Sequence, residues 1–338
     1  MFWILIVALA GLCSGIFGLP MKFTKRWKWE HVWSMYAFWV LLVAPWVIAF
    51  VTVPNLIQIY HDTSWQTLGL VAMFGTLWGI ASLTFGLGLA YMGLAIGYSL
   101  MIGLIIVSGS LLPLVTNPSS SGLTKQVMVL ITGVIVMVIS LVINTIAAKL
   151  KENGLAEKTQ AVSRPVNSFG IGLLLCVITG IVGCCLNYSY IYGDSIRVHA
   201  VELGASNAFA ANAILPIALI GASLLNMGYC FWMVNKGRTW HLYFAQGNKR
   251  YFIYTLGMVV WAVGIAVFGI AAANMGKLGN SVGWAVLNAS AIIWANVIGV
   301  VCGEWKGVKS KTISILVTAL FIMILGIAIV GFANSFAN

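Results

Sequence analysis

The chain has 338 residues, of which 61% are hydrophobic and 7% charged. Soluble domains carry about 25% charged residues, so this composition, with a mean hydropathy of +1.01, excludes an ordinary globular enzyme. The net charge of +11 is divided among short clusters between apolar runs, which is what membrane orientation requires and argues against a nucleic-acid partner.

A helix of roughly 20 apolar residues crosses about 30 Å of hydrocarbon. Such runs occur at 2–20, 31–53, 67–91, 93–115, 125–148, 166–189, 207–234, 251–273, 281–302 and 312–334. None alternates apolar and polar positions as a barrel strand would. The predicted fold class is therefore an all-α membrane protein with ten transmembrane helices. Lys22, Lys25, Arg26 and Lys28 occupy the first gap, and Lys149, Lys151, Lys158 and Arg164 the fifth. Lys236, Arg238, Lys249 and Arg250 occupy the seventh, and Lys306, Lys309 and Lys311 the ninth. Only Lys125, Arg197 and Lys277 fall in even gaps. Short basic loops stay in the cytoplasm, so the odd gaps are predicted there and both termini on the opposite side. Trp27 and Trp29, interleaved with the first basic cluster, are expected to meet lipid headgroups.

The two halves of the chain repeat one another. Shifting by 183 residues aligns Trp78–Gly93 with Trp261–Gly276 and matches Trp78/Trp261, Phe85/Phe268, Gly86/Gly269, Ala90/Ala273, Met92/Met275 and Gly93/Gly276. The expected organisation is a first five-helix repeat over 1–148, a cytoplasmic linker over 149–165 and a second five-helix repeat over 166–338. An odd number of spans sends the second copy into the membrane from the other side. That gives a 5+5 inverted-topology repeat, the architecture of many secondary transporters, whose substrate sites lie near the midplane. The pairs Gly11/Gly15, Gly75/Gly79, Gly93/Gly97 and Gly299/Gly303 have the four-residue spacing that lets helix backbones approach closely.

Six cysteines lie in or beside apolar runs without metal-ligand company, and the four histidines are scattered among loops. No H-E-x-x-H or G-x-S-x-G motif is present. Neither a cofactor nor a metal is expected, and an enzyme is excluded in favour of a carrier. Its spans offer neutral polar and aromatic groups. Amides both donate to and accept from hydroxyls, and indoles offer flat apolar faces. Candidate substrate-binding residues are Trp78, Thr84, Tyr98, Asn187, Asn212, Trp284 and Asn288, with Asn226, Asn296, Trp261 and Trp294 also in spans. Each asparagine has an alternative role as an interhelical hydrogen bond. Trp3, Trp33, Trp65, Trp232 and Trp305, near span ends, read as interfacial anchors. None of the seven acidic residues lies mid-span.

The stretch Leu19–Asn55, with its basic loop, Trp27, Trp29, Glu30 and the later Pro45-Trp46, resembles the first hairpin of the bacterial L-rhamnose–proton symporters, placed in the drug/metabolite transporter superfamily. Phe74–Gly79, Tyr91-Met92-Gly93, Gly97, Leu215-Pro216, Asn226–Phe231 and Gly303-Glu304-Trp305 continue the likeness in order. The segment Gly193–Asn207 departs from it most. The resemblance implies import of a monosaccharide, L-rhamnose first among them, by proton symport with alternating access. The implied location is the bacterial inner membrane, with both termini on the periplasmic side. A carrier or exporter of an amino acid or a different sugar is the alternative. The partners implied are the sugar, the proton and membrane lipids. A proton-coupled carrier needs a titratable group, and the candidates are His199 and Glu202 at an outward mouth, with Asp194 beside them. Glu30-His31 is a second pair on the cytoplasmic side. Each of these groups taken alone reads as a solvated loop residue.

Overall fold

The computed structural model describes residues 2–92, 94–116, 125–156, 169–276 and 279–333. Lys158, Arg164, Lys277, Gly93 and most of the predicted linker lie outside them. Every regular element among the described residues is helical. In chain order these are α1 (Phe2–Ile16), α2 (Trp29–Tyr36), α3 (Ala44–Thr52), α4 (Leu56–Asp62), α5 (Trp65–Met92), α6 (Leu94–Thr116) and α7 (Lys125–Ala156). After these come α8 (Phe169–Val182), α9 (Cys185–Tyr192), α10 (Asp194–Glu202), α11 (Ile214–Lys236), α12 (His241–Phe244), α13 (Lys249–Leu256), α14 (Val260–Ala273), α15 (Gly279–Val301) and α16 (Ser310–Ala333). Eight stretches are long and apolar enough to cross a membrane, and the shorter apolar stretches Phe2–Ile16 and Leu100–Leu111 fall in the first and fourth predicted runs. Helix α7 continues to Ala156, so the start of the predicted linker is helical. Its Lys, Glu, Ala and Leu residues are good helix formers.

Three spans depart from regular α geometry. Between α2 and α3 the residues Ala37–Val43 form a π-helical segment. Pro45 follows it near the start of α3. Proline has no N–H to bond the carbonyl four residues back, and its ring would strike that carbonyl, so the helix widens ahead of it. Residues Gly257–Val259 are a 3₁₀ turn between α13 and α14. The third departure is in the span formed by α8, α9 and α10, which is jointed after Val182 and at Gly193.

The chain forms two compact units. One comprises Met1–Leu12, Ala81–Cys184 and Met275–Asn338; within it α7 packs along α16, and α6 packs on α7, α8 and α15. Ser140 of α7 donates to the carbonyl of Ala319 on α16 at 2.6 Å. The other unit comprises Cys13–Ile80 and Cys185–Asn274, and here α11 packs against α2, the π segment and α3. Gly75 and Gly79 let α5 approach α11 closely. A Cβ at Gly75 would strike the Ala218 carbonyl, and one at Gly79 would strike the Ala222 backbone. The predicted Gly75/Gly79 pair thus meets a small residue four apart on the facing helix, the contact that substitutes for hydrophobic driving force in lipid.

Candidate functional site: an aromatic stack at broken spans

In the second unit, Trp78 of α5 stacks on Trp261 of α14 with ring centroids 5.1 Å apart and planes 18° from parallel. Trp261 is the second residue after the 3₁₀ turn, and Tyr36 precedes the π segment directly. Their rings are 6.3 Å apart. Tyr36 in turn lies 4.7 Å from Trp33, one turn back on α2. Irregular backbone inside a membrane is tolerated where it is buried in protein or lines a cavity, and two such breaks meet here. Trp261 is buried and Trp78 half-buried, so part of the Trp78 indole stays uncovered.

Asn226 of α11 braces this region. Its Nδ2 donates to Gly79 O at 3.1 Å and to Ala222 O at 2.8 Å. Its Oδ1 accepts the Trp33 indole N–H at 2.9 Å. Trp33 is 5% exposed. The expected interfacial anchor is therefore a buried strut, because its N–H finds an amide and its ring a stack on Trp29 at 5.2 Å. Trp305 is likewise buried, in a cluster with Ala147 and Leu316 in the first unit, with Lys151 4.5 Å from its ring centroid. Trp65 and Trp232 are exposed, as anchors should be.

The other predicted substrate residues take separate positions. In the second unit, Asn187 is fully buried on α9. Asn212, in the 3₁₀ turn Ala210–Ala213, donates to Thr52 Oγ1 at 3.0 Å, while its buried Oδ1 accepts no bond. In the first unit, Thr84 Oγ1 and Thr179 Oγ1 share a hydrogen bond of 2.7 Å between α5 and α8. The Tyr98 ring stands edge-on to Phe85 at 5.9 Å. Trp284 is buried on α15, its indole edge lying where a Cβ at Gly109 of α6 would be. Asn288, half-buried, donates Nδ2 to the carbonyl of Trp284 in its own helix at 2.9 Å. Asn212 and Asn288 each spend one amide hydrogen on the protein, and the Oδ1 atoms of Asn187 and Asn212 are buried and accept no hydrogen bond from the described residues.

Two titratable clusters belong to the second unit. On α10, His199 Nδ1 lies 3.0 Å from Glu202 and its Nε2 3.8 Å from Asp62 of α4. Arg197 pairs with Asp194 at 2.6 Å. This cluster is open to solvent. His61 beside Asp62 holds its carboxyl below the usual carboxylate range, and the charge of His199 works in the same direction. The other cluster centres on α2, where Glu30 is 8% and His31 0% exposed. His31 Nε2 lies 3.0 Å from the carbonyl of Thr239, and a carbonyl only accepts, so Nε2 carries the hydrogen. Ser34 and Tyr243 share a hydrogen bond of 2.6 Å. Burial pushes the Tyr243 hydroxyl up to about 12; the bond to Ser34 opposes that shift, and coupling to the Cys230 thiol and the Glu30 carboxyl adds to it. Neither Glu30 nor His31 is the solvated loop residue that its position at the edge of the second apolar run suggested. The signal available in the sequence was Trp27 and Trp33 on either side of them, aromatic enough to cover the pair.

Among the described residues no three His, Cys, Asp or Glu side chains cluster as a metal site. Comparison with known proteins assigns the chain. The family described as L-rhamnose-proton symport protein (RhaT) matches residues 1–335. Proteins named L-rhamnose-proton symporter match from Pectobacterium atrosepticum and Klebsiella pneumoniae at 27% identity, and from Escherichia coli at 25%. Each match spans 98% of this chain and 96% of the relative. A family model that covers residues 1–335 spans nearly the whole chain: the chain belongs to the L-rhamnose-proton symport protein family.

Proposed function

We propose that this chain imports L-rhamnose together with protons across the bacterial plasma membrane. The observation that carries this is the family match over nearly the whole chain. The geometry suits it. A 6-deoxyhexose is neutral and presents hydroxyls on one side and a methyl and C–H face on another. The Trp78–Trp261 stack supplies an apolar face. Asn187, Asn212, Thr84, Tyr98, Trp284 and Asn288 complete the proposed substrate set. His199 and Glu202, open to solvent beside Asp62, are placed at an outward mouth.

The proposed architecture is ten spans in two inverted repeats, 1–148 and 166–338, joined by a cytoplasmic linker, with both termini outside. Helix starts support it. Trp29 and Ile214, Trp65 and Lys249, Leu94 and Gly279, and Lys125 and Ser310 open matching helices. Their separations are 185, 184, 185 and 185 residues. Trp78 and Trp261, matched by the 183-residue shift, stack on one another, as equivalent residues do where they flank a two-fold axis.

One charge moving through 100 mV releases about 2.3 kcal/mol, which supports roughly 50-fold accumulation per proton. The test is uptake of labelled L-rhamnose by proteoliposomes under an imposed pH gradient, with and without protonophore. Accumulation that protonophore abolishes is expected. Gradient-independent equilibration would make the protein a facilitator, and uptake of a different solute alone would overturn the substrate.

A further inference from the structure

Coupling requires a group that binds a proton from one side and releases it to the other, at a place where its charge state matters to the moving parts. A carboxylate in bulk water meets the first need and fails the second. Among the described side chains, Glu30 is the one buried acidic residue and His31 the one buried histidine. Asp62, Asp194, Glu202 and Glu304 are exposed.

The Glu30 carboxylate has no hydrogen bond or ion pair among the described residues. Its electrostatic neighbours are Cys230 on α11 and Tyr243 on α12, neither of them cationic. On α13, which also packs on α2, the nearest titratable groups are Tyr251, against Trp27 at 5.5 Å, and Arg250 over the Tyr251 ring. On α2 itself the neighbour is His31, whose ring lies 4.6 Å from that of Tyr243. The Nδ1 atom of His31 is buried with no hydrogen-bond partner.

The same helix carries the sugar platform. Trp33 stands three residues after Glu30, on the same face. It bonds Asn226, touches Tyr36, and through Tyr36 reaches Trp261 and Trp78. The π segment that follows Tyr36 is a site where helix register can change.

Resting on the symport reading above, we propose that Glu30 is the proton-binding residue of this carrier, with His31 as its positioning partner. A proton arriving from outside bonds to a Glu30 carboxylate oxygen and neutralises it, so that α2 can repack with sugar against the tryptophans. On the cytoplasmic side the O–H bond breaks and water takes the proton. There the carboxylate sits in the first turn of α2, where the helix dipole favours an anion, next to exposed Lys25, Arg26 and Lys28. Because coupling is reciprocal, protonation of Glu30 tightens sugar binding as much as sugar favours protonation.

The test compares full-length wild type with Glu30→Gln and Glu30→Asp in proteoliposomes. Glu30→Gln is expected to lose at least tenfold in pH-gradient-driven accumulation of L-rhamnose while keeping exchange of labelled for unlabelled sugar, which moves no net proton. Glu30→Asp, which keeps a carboxyl, is expected to restore gradient-driven accumulation in part. Infrared difference spectra of the purified protein across pH supply a sugar-independent readout: a buried-carboxyl C=O band present in wild type and absent from Glu30→Gln. Wild-type accumulation by Glu30→Gln overturns the proposal, as does an unchanged carboxyl band. Loss of coupling in Glu202→Gln with coupling kept in Glu30→Gln transfers the role to the α10 cluster. Absence of rhamnose uptake by wild type strikes the substrate reading instead, and the infrared band still decides Glu30.

Discussion

Two tryptophans that the sequence presents as equals differ in what surrounds them. Trp78 stacks face to face on Trp261 beside a π segment and a 3₁₀ turn, half-buried, in one compact unit. Trp284 belongs to the other unit and lies 4% exposed on an unbroken α15, its edge filling the notch left by Gly109. An indole in a regular, tightly packed helix pair chiefly contributes volume. Set where backbone geometry breaks and a ring face stays open, the same side chain offers a surface. The difference lies in the partner at the notch and the regularity of the helix, not in residue type.

The most damaging way to probe that contrast is Trp284→Ala. Removing a buried indole from a packed interface costs about 3–5 kcal/mol. The expected result is a marked fall in thermal stability of the detergent-purified protein. Gly109→Leu, which drives a side chain into the space the indole occupies, should do the same. A Trp284→Ala variant that melts with wild type would show that α6 and α15 do not depend on this contact.

Asn226→Ala comes next. It strands the Trp33 indole N–H in a buried setting, and an unsatisfied buried donor costs about 1–3 kcal/mol. Because Asn226 also ties α11 to Gly79 of α5, both stability and uptake should fall. Trp33→Phe removes the donor along with the need for it, so the double variant Trp33→Phe/Asn226→Ala should lose less than the sum of the two. Strict additivity in thermal unfolding would remove the coupling.

Trp78→Ala acts on the open face. Losing an aromatic surface for a sugar costs about 0.5–1.5 kcal/mol, and each 1.4 kcal/mol is tenfold in affinity. The KM for L-rhamnose should rise several-fold to about tenfold while stability changes less than in Trp284→Ala. Trp78→Phe should recover part of the loss. An unaltered KM in Trp78→Ala would take the stack out of the substrate site.

Much of the fold was legible because membrane insertion is a local rule. Apolar length fixed where helices run, and all eight long described spans overlap predicted ones. The Gly75/Gly79 spacing foretold a close crossing, and the 183-residue shift singled out Trp78 and Trp261 without announcing that their rings stack. What was not legible depended on partners distant in sequence. Trp33 read as an anchor because nothing near it in the chain announces Asn226, 193 residues away. Glu30 and His31 read as loop residues because the second helix starts at Trp29, two residues before the apolar run, and Thr239 and Tyr243 cover His31 from far along the chain. A π segment leaves no periodic signature; only Pro45 hinted at it.

The smallest effect belongs to Asn288, and it refines the contrast from the side of the packed helix. One of its two Nδ2 hydrogens is spent on the Trp284 carbonyl one turn back, so Asn288→Ala breaks a bond within one helix that the backbone itself backs up. Polar contacts between helices in a bilayer average about 0.6 kcal/mol, and an intrahelical one should be worth no more to stability. The second Nδ2 hydrogen and Oδ1 are left for a substrate, and the acceptor role belongs to Oδ1. Asn288→Asp keeps an acceptor at that point and Asn288→Leu removes it. If the site extends to α15, KM should rise two- to threefold in Asn288→Leu, in line with a net hydrogen bond of about 0.5 kcal/mol, with little change in melting. Asn288→Asp should lie nearer wild type in KM. A common KM in all three proteins would confine sugar recognition to the unit that holds the tryptophan stack.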